Sequence, residues 1–154
     1  MRIYVDADAF PNVLKDILFR AAERMQVPLV FVACKRLSFG RSANISVIEV
    51  PIGPDLADDR IVELVQPGDL VITADIPLAD RTITKGAFAL NPRGELYTEE
   101  NIKDRLAFRG LMNELRDCGL VTGGGPAEFT KKDRQAFANQ LDRLVSRQLK
   151  REAL

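Results

Sequence analysis

No histidine occurs anywhere in the 154 residues of this chain, and that absence excludes more chemistry than any motif supplies. Without imidazole there is no Ser-His-Asp or Cys-His nucleophile, no histidine zinc site and no histidine general base. Any catalysis must run on carboxylates, lysine, tyrosine, hydroxyls or a metal-bound water. Tryptophan is also missing, and Tyr4 and Tyr97 are the only tyrosines, so a base-stacking platform for single strands is poorly supplied. The two cysteines, Cys34 and Cys118, make neither a disulfide framework nor a metal-site spacing. No apolar run approaches the roughly 18–20 residues of a membrane span. The N-terminus enters a strand pattern without the basic-then-apolar signature of a signal peptide. A cytoplasmic protein with no membrane partner is the expectation.

Composition is ordinary for a globular chain, with 46% apolar and 29% charged residues, and the length fits a single domain over 1–154. The formal net charge is zero but unevenly spread. Residues 1–100 hold 11 Lys+Arg against 15 Asp+Glu, whereas residues 101–154 hold 11 against 7. An acidic front and a basic back suit a metal site beside a positive surface for a polyanion, although a solvated helix face is the plainer account.

Two stretches carry the strongest signal. Arg2-Ile3-Tyr4-Val5-Asp6-Ala7-Asp8 and Asp69-Leu70-Val71-Ile72-Thr73-Ala74-Asp75 are β-branched runs that end in carboxylates. Each is followed by a proline, Pro11 or Pro77, and then by helical spacing. Residues 12–26 form an amphipathic helix pattern that Pro28 stops, and Leu29–Ala33 is a run apolar on both faces. Residues 34–45 lack periodicity and read as a mobile surface loop. Val47–Val50 is a third strand, and Asp55 with Asp58 resembles a capping box at the start of another helix. A helix over 78–85, a fifth strand at Ala87–Leu90 and a turn at Asn91-Pro-Arg-Gly94 follow. Thr98 caps a helix whose buried side is expected to be Leu106, Phe108, Leu111, Met112 and Leu115. Gly119 ends it, and Thr122-Gly-Gly-Gly-Pro126 is a flexible link to a last, basic helix from Thr130 to about Leu149. This alternation predicts an α/β fold of three αβα layers with a mainly parallel, five-stranded sheet.

In such a sheet the carboxyl ends of the strands open on one edge, where ligands bind at a topological switch point. Asp6, Asp8 and Asp75 would converge there. Carboxylates about 4 Å apart repel by about 4 kcal/mol at an effective dielectric near 20. Such a cluster must protonate, disperse or hold a cation, and oxygen-only ligands point to Mg²⁺ or Mn²⁺. Asp6 and Asp8 share one face only if the strand runs on through Asp8; otherwise Asp8 is a helix cap. Asp58 has a capping role available to it, and Asp59 and Asp80 carry weaker signals still.

Val5-Asp-Ala-Asp-Ala9 with Pro11, Asp55-x-Ala-Asp58, the run Gly68–Ala79, Asn91-Pro-Arg-Gly-Glu-Leu-Tyr97 and Asp133-Arg-Gln-Ala-Phe137 together resemble the YaiI/YqxD family. The resemblance runs from residue 1 to about residue 145. That family is grouped with PIN-like domains, whose nucleases hold Mg²⁺ or Mn²⁺ with acids at the ends of strands one and four. The resemblance implies a PIN-like fold, Asp6 and Asp75 as core metal ligands and catalytic acids, and Asp8 and Asp58 as additional ones. It departs at Phe10, Cys34 and Ser38–Arg41, where the family pattern differs.

The leading expectation is a Mg²⁺- or Mn²⁺-dependent nuclease that cleaves phosphodiester bonds, with RNA favoured as partner. Thr73 and Arg93 are the expected substrate contacts near the acids, Arg93 as a phosphate clamp. Arg143 and Arg147 are the expected backbone contacts on the C-terminal helix. One alternative is a HAD-like phosphatase, with Asp6 as nucleophile, Asp8 as general acid, Thr73 on the phosphate and Lys85 stabilising charge. The other is a non-catalytic RNA-binding or regulatory domain. Oligomeric state has no signature in the sequence.

Overall fold

The computed structural model describes residues 1–38, 42–120 and 128–154. Strands β1 (Ile3–Asp6), β2 (Leu29–Ala33), β3 (Ile45–Glu49), β4 (Leu70–Ile72) and β5 (Phe88–Leu90) run parallel. Strand β6 (Leu96–Tyr97) pairs antiparallel with β5, so the sheet has six strands where the sequence predicts five. A two-residue strand is too short to leave a periodicity. Helices are α1 (Lys15–Met25), α2 (Leu56–Leu64), α3 (Ile76–Thr84), α4 (Glu99–Asp117) and α5 (Lys131–Glu152). None among the described residues is long and apolar enough to cross a membrane.

Side chains alternate across a strand, and that alternation divides the core. Ile3 and Val5 of β1 join Leu29, Phe31, Leu70 and Ile72 against α1 and α5, where Leu18, Phe137 and Leu141 are buried. Tyr4, Val30, Val32 and Val71 face the other way, against Ile61 of α2 and Leu78 of α3. Ala79, Ala89, Tyr97 and Ile102 continue that second face toward α4. The result is the expected three layers. All five residues of β2 are buried, as a central parallel strand requires.

The strand order is β3-β2-β1-β4-β5-β6. The chain therefore builds outward from β1 on one side and then returns to build outward on the other. The switch point lies between β1 and β4.

Several local expectations change. Helix α1 opens with a 3-10 turn at Asn12–Leu14, and it ends at Gln26, which takes the left-handed conformation (φ 55°) two residues before Pro28. In the predicted loop 34–45, Ile45 already belongs to β3, and residues 39–41 lie outside the described residues. So does the predicted link at 122–126. The largest correction concerns α4. Only Ile102 is fully buried, while Phe108 and Leu111 are 61% and 52% exposed. Ile102 and Leu106 pack in the cluster that contains α3's Ala79. Beyond them the apolar spacing of α4 has no described layer to face.

Candidate active site

The switch point brings together three carboxylates from three elements. Asp6 closes β1, with its side chain on the α2/α3 side of the sheet by alternation from Tyr4. Asp75 follows β4 and is the N-cap of α3, where its carboxylate accepts the Leu78 N–H at 2.9 Å and Pro77 sits in the first turn. Asp58 lies in the first turn of α2, half-buried.

Thr73 joins the two strand ends. Its hydroxyl donates to Asp6 Oδ2 at 3.3 Å and accepts the Asp75 N–H at 3.0 Å. Thr73 is itself buried, with its N–H held by the Leu90 carbonyl at 3.0 Å. A single β-branched side chain thus sets the relation between Asp6 and the start of α3.

The electrostatics follow from this convergence. Burial is the largest cause that raises the Asp6 pKa above the usual carboxylate value; the Thr73 bond opposes it, and the charges of Asp75 and Asp8 add to it. Asp58 is pushed up to about 6, first by burial, then by the charges of Asp75, Asp6 and Asp55, against an opposing pull from Arg81. The Asp75 charge thus acts on both Asp6 and Asp58.

Asp8 behaves differently. The strand stops at Asp6, and Ala7–Ala9 form a 3-10 turn, so the same-face relation of Asp6 and Asp8 does not hold. The exposed Asp8 carboxylate instead accepts the Cys34 N–H at 2.9 Å and ties the end of β2 to the turn. Its hydrogen bond with the Cys34 thiol is the main cause that raises the pKa of that thiol.

Beside the acids is a cleft of about 320 Å³ whose walls include Asp55, Asp58 and Asp75 together with Arg81 and Arg109. Larger hollows of 360 and 410 Å³ lie between α1 and α5 and contain none of the site carboxylates. Arg81 donates to Asp59 at 2.8 Å. Arg109 reaches the cleft from α4. Neither arginine, nor Asp55 as a wall of the site, has a signal in the sequence, because three separate elements must meet before they become neighbours.

The other expected contacts lie elsewhere. Arg93 is engaged by the start of α5: it donates to Asp133 Oδ2 at 2.7 Å and stacks 4.2 Å over the Phe129 ring. Its turn presses on α5 so closely that a Cβ at Gly94 (φ 90°) would stand 2.5 Å from the Ala136 carbonyl carbon. Arg143 and Arg147 are exposed on α5, which covers the opposite face of the sheet. They lie toward the end of α5 where Glu152 meets the N-terminal ammonium, at the opposite edge from the acids. Lys85 follows the far end of α3 and donates to the Val62 carbonyl at 2.5 Å.

Among the described residues no three carboxylate or thiol groups already stand where one metal ion could be held. The donor chemistry, carboxylate oxygen alone, is nevertheless that of a hard dication. Mutual repulsion among Asp6, Asp58 and Asp75 is what such a cation relieves. Asp58 accepts no hydrogen bond from the described residues, so no bond has to be broken for a cation to engage it.

The chain matches the family described as "Uncharacterized BCR, YaiI/YqxD family" over residues 4–147. It is 56% identical over 148 residues to a "UPF0178 protein" of Janthinobacterium sp. (strain Marseille), covering 96% of this chain and 97% of that one. A "UPF0178 protein" of Solidesulfovibrio magneticus is 57% identical over 145 residues, 94% and 96% of the two chains. For "UPF0178 protein GSU0171" of Geobacter sulfurreducens the identity is 52% over 151 residues, 98% and 100% of the two chains. No solved structure matches.

Proposed function

The chain belongs to the uncharacterised YaiI/YqxD family, and we propose that this member is a divalent-metal-dependent phosphodiesterase acting on nucleic acid, RNA in preference to DNA. The observation that carries the reading is the meeting of Asp6, Asp58 and Asp75 at the switch point between β1 and β4, with Asp58 pushed up to about 6 by burial first and then by the neighbouring carboxylates. Idle carboxylates in that relation only cost stability. A cation gives them a use.

Asp6, Asp58 and Asp75 would hold Mg²⁺ or Mn²⁺, with Asp8 adding negative charge from the neighbouring turn. When bound, the ion supplies charge stabilisation at the phosphorus under attack. The chain's own groups do the positioning. Thr73 fixes the Asp6 carboxylate, and the first turn of α3 fixes Asp75. Asp58 accepts no such bond from the described residues.

The HAD-like alternative loses support from Lys85, which is bound to Val62 at the far end of α3 from Asp6 and Asp8. One preparation tests the readings together. The phosphodiesterase reading expects Mn²⁺-dependent cleavage of an end-labelled single-stranded RNA. Asp75→Asn should lower it on the order of 100-fold, the scale of losing one group that stabilises developing charge. Release of inorganic phosphate from a small monoester, with a phosphoryl group trapped on Asp6, would shift the assignment to a phosphatase. RNA binding without either activity would leave a binding domain.

A further inference from the structure

Because Arg93 is taken up by Asp133 and Phe129, the phosphate-gripping group has to come from another element. We infer that Arg109 of α4 is the residue that grips the substrate phosphate in the acidic cleft. The inference rests on the phosphodiesterase reading for the identity of the anion, but its evidence is separate.

Arg109 lines the cleft directly, opposite carboxylates contributed by α2 and α3. The other arginines nearby are committed: Arg81 to Asp59, Arg60 to Glu63 and Arg105 to Glu95. Arg109 makes no ion pair with the described residues and is exposed, so its guanidinium is available to a ligand. A guanidinium presents a planar fork of donors that matches two oxygens of one phosphate. The cleft volume of about 320 Å³ is at the lower end of the range for small-molecule sites, which suits a phosphate with a short flanking segment.

The cleft's charge decides when that grip works. Its walls hold three carboxylates, Asp55, Asp58 and Asp75, against two arginines, a balance that repels a phosphodiester. Asp6 and the Asp59 paired with Arg81 add to that repulsion, and a dication held by the carboxylates offsets most of it. Phosphate affinity through Arg109 therefore depends on the cation, and by linkage the cation binds more tightly with the phosphate present. Arg109 is a substrate-binding residue of the cation-loaded cleft.

The test uses the full chain and a labelled single-stranded phosphorothioate oligonucleotide, followed by fluorescence anisotropy with and without Mn²⁺. The wild type should bind with Mn²⁺ and weaken sharply without it. Arg109→Gln should lose about tenfold in the presence of Mn²⁺, and Arg109→Lys should recover part of that loss. The rise in melting temperature on adding Mn²⁺ alone should be the same in all three proteins, which separates the clamp from the carboxylates. Equal affinity of wild type and Arg109→Gln, or no binding by the wild type, would overturn the assignment. A wild type that binds through Arg109 yet cleaves no RNA would keep the clamp and sink the phosphodiesterase reading.

Discussion

Two helices of this protein start with the same spacing of polar residues and use it in opposite ways. At α5, Thr130 and Asp133 close a reciprocal capping box: the Thr130 hydroxyl accepts the Asp133 N–H and Asp133 accepts the Thr130 N–H, each at 3.1 Å. That second bond is the main cause that lowers the Asp133 pKa, and Arg93 lowers it further. At α2, Asp55 and Asp58 hold the equivalent positions, but no box forms. Asp55 sits in the left-handed region (φ 62°) and its side chain makes no capping bond. Asp58 closes no box and is pushed up to about 6, first by burial and then by the charges of Asp75, Asp6 and Asp55. A carboxylate at a helix start settles the fold when backbone N–H groups and a cation meet it. Beside other carboxylates it is left poised for a ligand.

That contrast can be broken from either side. The larger expected effect is on the α5 side. Thr130→Ala removes half of a working box and should cost about 1 kcal/mol. Thermal denaturation should show a fall of roughly 2–4 °C for a chain of this size.

On the α2 side the sign reverses. An acid whose folded pKa is raised binds its proton more tightly in the folded state. Stability therefore falls as pH rises from about 4 through about 6, and the penalty is complete above that window. Asp58→Asn should accordingly melt higher than the wild type at pH 8 and at the same temperature at pH 4. Solvent screening of this half-buried group limits the gain to no more than about 1 kcal/mol. A variant that melts lower at pH 8 would mean that Asp58 stabilises the fold after all.

The layers and the sheet edge were legible because they rest on local physics. Val-Ile-Thr runs, prolines after the strands and the wholly apolar β2 each specify an element without outside help. Asp6 and Asp75 were legible for the same reason, since their place at strand ends follows from topology alone. What escaped depended on contacts between elements. The sequence cannot show that β1 stops at Asp6, and that stop turns Asp8 toward Cys34. Nor does the spacing of Phe108 and Leu111 reveal that α4 extends beyond its packing partners. Arg93 stands within a turn motif, but its use is fixed by α5, some forty residues later in the chain. Arg81 and Arg109 have no local mark at all.

If Asp6, Asp58 and Asp75 form one electrostatically coupled site that takes a divalent cation, the cation must change how Asp58 titrates. Carbon-13 NMR titration of the aspartate carboxyl groups, with and without Mg²⁺, reads that change at the residue itself. Without Mg²⁺ the Asp58 carboxyl should titrate at about 6, and Asp75→Asn should move it down. With saturating Mg²⁺ it should move to or below the ordinary aspartate range near 4, because the cation favours the ionised form. An Asp58 that titrates near 4 in the free protein, or whose titration ignores Mg²⁺, would contradict the claim.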